Sequence, residues 1–268
     1  MSEAKYTPEE IISRLELKPV TQYQSEIIGS PLEPSVVIAG AGSGKTETMS
    51  NRVLYLVANG FVTPDQILGL TFTRKAAGEL SVRIRKRLRQ LAAHKDFKHI
   101  VSTSTSVTTY HSYAGKLLSE HAIRYGIDAD AEPLGEAAIW QIASDVVRNW
   151  SDDSYRNQSA VSTVIKDLLG LSKLMLEHQV KAEDIERIGN EVLSALAPLQ
   201  GASNGEVRDV AKAMRQRNSL LPMVEVFMQR RKAAGEFSFD DQMSLAADIA
   251  QNFEDVGVLE RGKYKVVL

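Results

Sequence analysis

The chain contains no cysteine. That excludes disulfides and thiolate metal sites within it, and it fits a reducing compartment. The first residues, Met-Ser-Glu-Ala-Lys, lack the apolar stretch of a signal peptide. No apolar run approaches membrane-spanning length. Internal repeats and low-complexity tracts are also missing. So is a strong charge excess: 32 Lys and Arg stand against 34 Asp and Glu, a net charge of −2. Global charge therefore does not advertise a polyanionic partner. What remains is ordinary for a globular protein. The 268 residues, 43% hydrophobic and 25% charged, suit one large domain or two small ones with a sizeable core.

The most telling stretch runs from Val36 to Thr46, Val-Val-Ile-Ala-Gly-Ala-Gly-Ser-Gly-Lys-Thr. A short β-branched run enters a loop of small residues, Gly40, Ala41, Gly42, Ser43 and Gly44, and a helical pattern comes directly after it. A loop that wraps a phosphate must turn its N–H groups inward, which needs unusual dihedrals and close approach. The helix after the loop adds free N–H groups and the positive end of its dipole. Lys45 can place an ammonium on the β- and γ-phosphates, and the Thr46 hydroxyl can complete the shell of a Mg²⁺ ion. Ala39 stands where the strict pattern has Gly, and it is small enough for the turn. The bland alternative is a glycine-rich turn that binds nothing.

Charge is uneven along the chain. Between Arg74 and Lys98, nine cations face only Glu79 and Asp96. Such a stretch can hold a phosphate backbone, or it can be a solvated helix face.

The pattern predicts capped helices after Thr7 and Thr21, with Pro8 at the first helical position of the earlier one. It predicts strands at Ser35–Ala39, Ile67–Thr71 and Val107–Tyr110. Helices are predicted from the phosphate loop to Asn59, over Arg74–Ala93 and over Ser112–Tyr125. From Ala131 to Ala234 apolar residues recur only at helical spacing, with polar breaks at Asp152–Ser159 and Gln200–Gly205. Phe237–Asp241 then caps another helix; Asp240 and Asp241 read as cap and first-turn acid rather than as metal ligands. Tyr264–Leu268 returns to a strand pattern. The expectation is α/β: a parallel sheet over 1–130, a helical insertion over 131–234, and a return to the sheet over 235–268.

With these blocks in order, the chain resembles the UvrD/Rep/PcrA-type superfamily 1 DNA helicases. Val20-Thr21-Gln22-Tyr23-Gln24 looks like the family's glutamine motif, and Ala39–Thr46 is similar to its phosphate loop, leading Ala included. Leu70–Leu80, Leu-Thr-Phe-Thr-Arg-Lys-Ala-Ala-Gly-Glu-Leu, resembles its first DNA-contact motif. Thr109-Tyr110-His111-Ser112 resembles the next, and Phe239-Asp240-Asp241 a segment shortly before the acidic magnesium motif. The wording looks closest to actinobacterial members, including motor subunits of helicase–nuclease complexes.

The resemblance implies an incomplete RecA-like P-loop domain with a helical insertion, and an ATP-dependent 3′-to-5′ DNA helicase acting in repair or recombination. It implies ATP and Mg²⁺ as cofactors, with Gln24, Ala39–Thr46 and above all Lys45 on the nucleotide, and Thr46 on the metal. Gln24 has a carboxamide able to bond adenine N6 and N7. Thr71, Phe72, Thr73, Arg74, Thr109, Tyr110 and His111 would meet DNA, with Phe72 offering a stacking face. The implied partners are single-stranded DNA, junctions with duplex and a possible nuclease-complex subunit; no membrane is implied, and the setting would be cytoplasmic and nucleoid-associated. Glu47 departs from the Arg that many members carry there, which argues against nucleotide contact at this position. Because Leu268 closes the strand that would lead into the acidic motif, the chain is expected to be an N-terminal fragment that hydrolyses essentially no ATP. The competing classes are a P-loop enzyme of another kind, such as a kinase or transport ATPase, and a non-catalytic DNA-binding module.

Overall fold

Thr7 opens α1 (Pro8–Arg14) through a capping box: its hydroxyl accepts the Glu10 N–H while the Glu10 carboxylate accepts the Thr7 N–H. Thr21 and Gln24 repeat the arrangement at α2 (Gln22–Gly29). The computed structural model that shows this describes residues 4–98, 104–128, 130–151, 160–199 and 205–268. Helix α3 (Lys45–Ala58) leaves the phosphate loop and ends before Gly60, whose φ of 72° no β-branched residue would take comfortably. Then come β1 (Ile67–Thr71), α4 (Arg74–Ala93), β2 (Ser106–Thr109) and α5 (Tyr110–His121). The helices α6 (Glu136–Arg148), α7 (Val161–Glu177), α8 (Ala182–Leu196), α9 (Gly205–Ala233), α10 (Asp241–Asn252) and α11 (Glu254–Lys263) come next, and β3 (Val266–Val267) closes the order.

The three strands form one parallel sheet in the order β2-β1-β3. Parallel neighbours need crossover connections, which the alternation of strands and helices supplies. Thr71 pairs with Thr109, so β1 and β2 end level with each other.

Two compact units result, Met1–Tyr113 with Phe253–Leu268, and Ala114–Asn252. The second takes in α5 from Ala114 onward and α10, beyond the 131–234 expected for the insertion. The first unit's core is built on α3, buried at every residue from Ser50 to Ala58, with Ile84, Leu88 and Leu91 of α4, Ile67 of β1 and Phe97 against it. A helix buried all round belongs in a core. The second unit packs Val147, Val164, Ile165, Leu168, Met223, Val224 and Phe227 together. The predicted break Asp152–Ser159, and Gln200–Gly205 up to Asn204, lie outside the described residues.

One expectation is corrected. Ser35–Ala39 joins no strand of the sheet, and Val36 and Ile38 are 88% and 95% exposed. A β-branched run becomes a strand only when a neighbour supplies ladder partners. Here a cleft of about 950 Å³ lies along the run instead, lined by Val37, Ile38 and Ala39 and by Val266–Leu268.

Candidate nucleotide and DNA site

Gly42 and Gly44 take φ of 76° and 86°, so the loop turns where only glycine turns freely. Gly44 is constrained twice, because a Cβ there would stand 2.9 Å from Gln24 Nε2. Gly40 and Gly42 face open space, so the loop leaves room above itself. Lys45, the first residue of α3, donates to the carbonyls of Ala39 at 3.0 Å and Gly40 at 2.7 Å. The Ser43 hydroxyl also donates to Gly40 O, at 2.8 Å. The ammonium thus rests on oxygens of the loop itself, the kind of acceptor a phosphate presents. Thr46 is exposed beside it. Gln24 bridges two elements: its Oε1 accepts the Thr21 N–H at 3.0 Å, and its Nε2 donates to Ser43 O at 3.1 Å. Ser43, Lys45 and Gln24 line the cleft along Ser35–Ala39, as do Lys265 and Glu33.

The second cluster stands at the carboxyl ends of β1 and β2, where parallel sheets place ligand loops. Phe72, 90% exposed, comes directly after β1, and Tyr110 directly after β2. The level register brings their rings to 5.3 Å between centroids, tilted by 40°. Thr73 caps α4 by accepting the Ala76 N–H, and the Thr71 hydroxyl donates to Thr73 O at 3.1 Å. Arg74 and His111 are exposed. Thr109 is buried, and its hydroxyl accepts the Ser112 N–H at 3.1 Å and shares a hydrogen with Ser112 Oγ. It therefore fixes the turn that presents Tyr110 and His111.

Two further residues, Arg52 and Glu47, hold the surroundings of these clusters, and the sequence assigns no role to the first. Arg52 is buried in α3, and its guanidinium donates to the carbonyls of Ile27, Ile28, Ser30 and Pro31 at the end of α2. Burial pushes its pKa below the usual arginine range, with Tyr55 acting the other way. It ties the helix bearing Gln24 to the helix bearing Lys45. The signal available was a cation next to the apolar run Val53–Val57.

Glu47 turns to α4 and pairs with Arg83 at 2.8 Å and with Arg87, which also donates to Asn51. Burial raises the Glu47 pKa, but hydrogen bonds and charge from Arg87 and then Arg83 outweigh it and leave the carboxyl below its ordinary range. The clasp's stabilisation is therefore complete above the ordinary carboxylate range and is lost as pH falls through the lowered folded value. Thermal unfolding from about pH 5 down to about pH 3 is expected to be less pH-dependent in Glu47→Gln than in wild type.

Asp241 is the first-turn acid of α10: its carboxylate accepts the Ser238 N–H at 2.6 Å and pairs with Arg231, and its own N–H donates to the Ser238 hydroxyl at 3.3 Å. Among the described residues no group of three or more His, Asp or Glu side chains is placed to hold a metal.

Several known proteins are similar to this chain. DNA helicase II of Haemophilus influenzae is 36% identical over 111 residues, 41% of this chain and 14% of that protein. PcrA of Staphylococcus epidermidis, named an ATP-dependent DNA helicase, is 31% identical over 143 residues, 52% of this chain and 18% of the relative. UvrD1 of Mycobacterium tuberculosis, named likewise, is 29% identical over 240 residues, 90% of this chain and 26% of the relative. The matches thus span about a quarter or less of these relatives' lengths. Residues 20–268, both clusters included, match the UvrD/REP helicase N-terminal domain, and the chain belongs to that family.

Proposed function

We propose that the chain is the ATP- and single-stranded-DNA-binding part of an ATP-dependent DNA helicase or translocase that moves 3′ to 5′ in repair or recombination. The observation that carries this reading is the pairing, within one compact unit, of an open phosphate loop with an exposed Phe72–Tyr110 platform. The loop N–H groups, Lys45 and the α3 N-terminus would hold the phosphates of ATP. Thr46 would hold Mg²⁺ together with those phosphates, a shared arrangement usual for that ion. Gln24 would move from Ser43 O to the adenine. Phe72 would stack on a base, with Tyr110 supporting its ring, while Arg74 and His111 contact the strand.

Glu33 lines the cleft, and Glu47, the residue after Thr46, is taken up by Arg83 and Arg87, while hydrolysis needs an acid on the metal and one to orient water. The 268-residue chain should accordingly bind nucleotide weakly and show essentially no DNA-stimulated turnover. Phe72→Ala should weaken binding to a dT oligonucleotide by about tenfold, the worth of one stacked base, in a fluorescence-anisotropy titration, and leave ATP binding intact. Unchanged DNA affinity would mean that Phe72 is no platform for a base. Robust ATPase from the pure chain, abolished by Lys45→Ala, would overturn the view that it lacks the hydrolytic acids.

A further inference from the structure

Seven of the nine cations between Arg74 and Lys98 stand on α4, and they fall into two sets in the structure. Arg83 and Arg87 turn inward to Glu47. Arg74, Lys75, Arg85, Lys86 and Arg89 are exposed, and none makes an ion pair or side-chain hydrogen bond among the described residues. At about 100° per residue, these five fall within one arc of about 120° on α4. Gly78 and Val82 share the arc, and the exposed acid Glu79 lies just outside it.

This face works against the helix that bears it. Arg74 and Lys75 occupy the first turn, where the dipole disfavours cations, and no acid is there to offset them. Arg85 and Arg89 are a like-charged i,i+4 pair, and Lys86 and Arg89 are neighbours at i,i+3, each unfavourable by a few tenths of a kcal/mol in an isolated helix. A face serving solubility alone gains nothing from this arrangement. A face that meets a polyanion does, because bound phosphates relieve the repulsion and release counterions.

We infer that the outer face of α4 binds the phosphodiester backbone of the nucleic acid that reaches Phe72, as a contact separate from that base platform. The inference rests on the DNA-binding reading above. Phe72 stands two residues before α4, so a strand leaving the platform meets Arg74 and Lys75 first. From Arg74 to Arg89 the face runs for about 22 Å along the helix, roughly six nucleotide steps at 3.4 Å. These contacts carry charge and no base readout, so they set grip and salt dependence without sequence preference.

The test is the salt dependence of binding by the 268-residue chain to a 30-nucleotide dT oligomer. Arg85→Gln/Lys86→Gln/Arg89→Gln is compared with wild type, with Phe72→Ala, and with the charge-retaining Arg85→Lys/Arg89→Lys. Gln suits an exposed helix, so the triple variant should keep its thermal midpoint. The expected result is a log-affinity against log-salt slope shallower by about two, near 0.7 for each lost phosphate contact. The Lys variant should keep the wild-type slope, and Phe72→Ala should lose affinity with its slope unchanged. An unchanged slope in the triple variant, while Phe72→Ala still weakens binding, overturns the α4 contact and leaves the functional reading standing. The same holds if the triple variant binds the oligomer like wild type but loses polyglutamate or anionic vesicles, which would assign the face to a protein or lipid partner. Failure of wild type to bind the oligomer at all would overturn both.

Discussion

Lys45→Ala should lower the affinity of the chain for MgATP roughly a hundredfold and leave the fold intact. The ammonium is exposed and rests on the carbonyls of Ala39 and Gly40, so nothing in the core depends on it. Bound nucleotide would offer charged oxygens in place of those neutral ones. A hydrogen bond to a charged group contributes about 1.5–3 kcal/mol, and at 1.4 kcal/mol per decade the upper end corresponds to roughly a hundredfold. Lys45→Arg should recover only part of the loss, because a planar fork replaces a point charge in a loop shaped for the smaller group. Titration calorimetry reads the affinity, and circular dichroism checks that the thermal midpoint moves by no more than a surface substitution allows. An affinity within a few-fold of wild type would mean that the phosphates sit elsewhere.

Arg52→Met should be the most destabilising substitution in the loop's surroundings, although the hydrogen bonds of Arg52 all go to the end of α2 and the turn after it. Met keeps the aliphatic stem and removes the donors to four carbonyls at 2.9–3.0 Å. Those carbonyls close α2, where a helix needs donors for its free acceptors and where a cation meets the negative end of the dipole. Each buried acceptor left without a donor costs about 1–3 kcal/mol, and these four share one cation, so the sum is not additive. A total of about 3–5 kcal/mol is expected, the range seen when one side of a buried charge interaction is removed. For a unit of this size that lowers the melting temperature by roughly 10 °C or more. Differential scanning calorimetry measures it. Because α2 carries Gln24, the nucleotide affinity of whatever remains folded should fall as well. A midpoint within about 2 °C of wild type would show that water or a repacked turn serves these carbonyls equally well.

Much of the site could be read from residue order, because its chemistry is local. Gly40–Gly44 specifies a loop by its small residues, and the helical pattern from Lys45 onward specifies where α3 starts. The positive φ at Gly42 and Gly44 meets that local demand. The Thr21–Gln24 capping box is likewise local, closed within four residues. Phe72 and Tyr110 are 38 residues apart in the chain, yet each comes directly after a strand, and parallel pairing in register does the rest.

The features that escaped the sequence depend on distant partners. The carbonyls that hold Arg52 are backbone atoms more than twenty residues earlier, and backbone acceptors leave no mark in a sequence. Glu47 could be recognised as a favourable first-turn acid, but not as the partner of Arg83 and Arg87 out of nine nearby cations. Ser35–Ala39 has a strand's composition without the ladder neighbour a strand requires. Helix α11 was unexpected because Gly257 and Gly262 weaken its intrinsic propensity. It forms with Val256 fully buried and the Glu260 carboxylate accepting the Tyr113 hydroxyl at 2.5 Å.

The central claim is that one compact unit holds an ATP phosphate cradle and a single-stranded DNA platform as distinct sites. Calorimetric titration of MgATP into the 268-residue chain, with and without a saturating dT oligomer, tests this most directly when run on wild type, Lys45→Ala and Phe72→Ala. The expected result is one nucleotide per chain in wild type, weakened roughly a hundredfold in Lys45→Ala and unchanged in Phe72→Ala, with DNA affinity unchanged in Lys45→Ala and weakened about tenfold in Phe72→Ala. Nucleotide binding that survives Lys45→Ala undiminished, or DNA binding indifferent to Phe72, would contradict it.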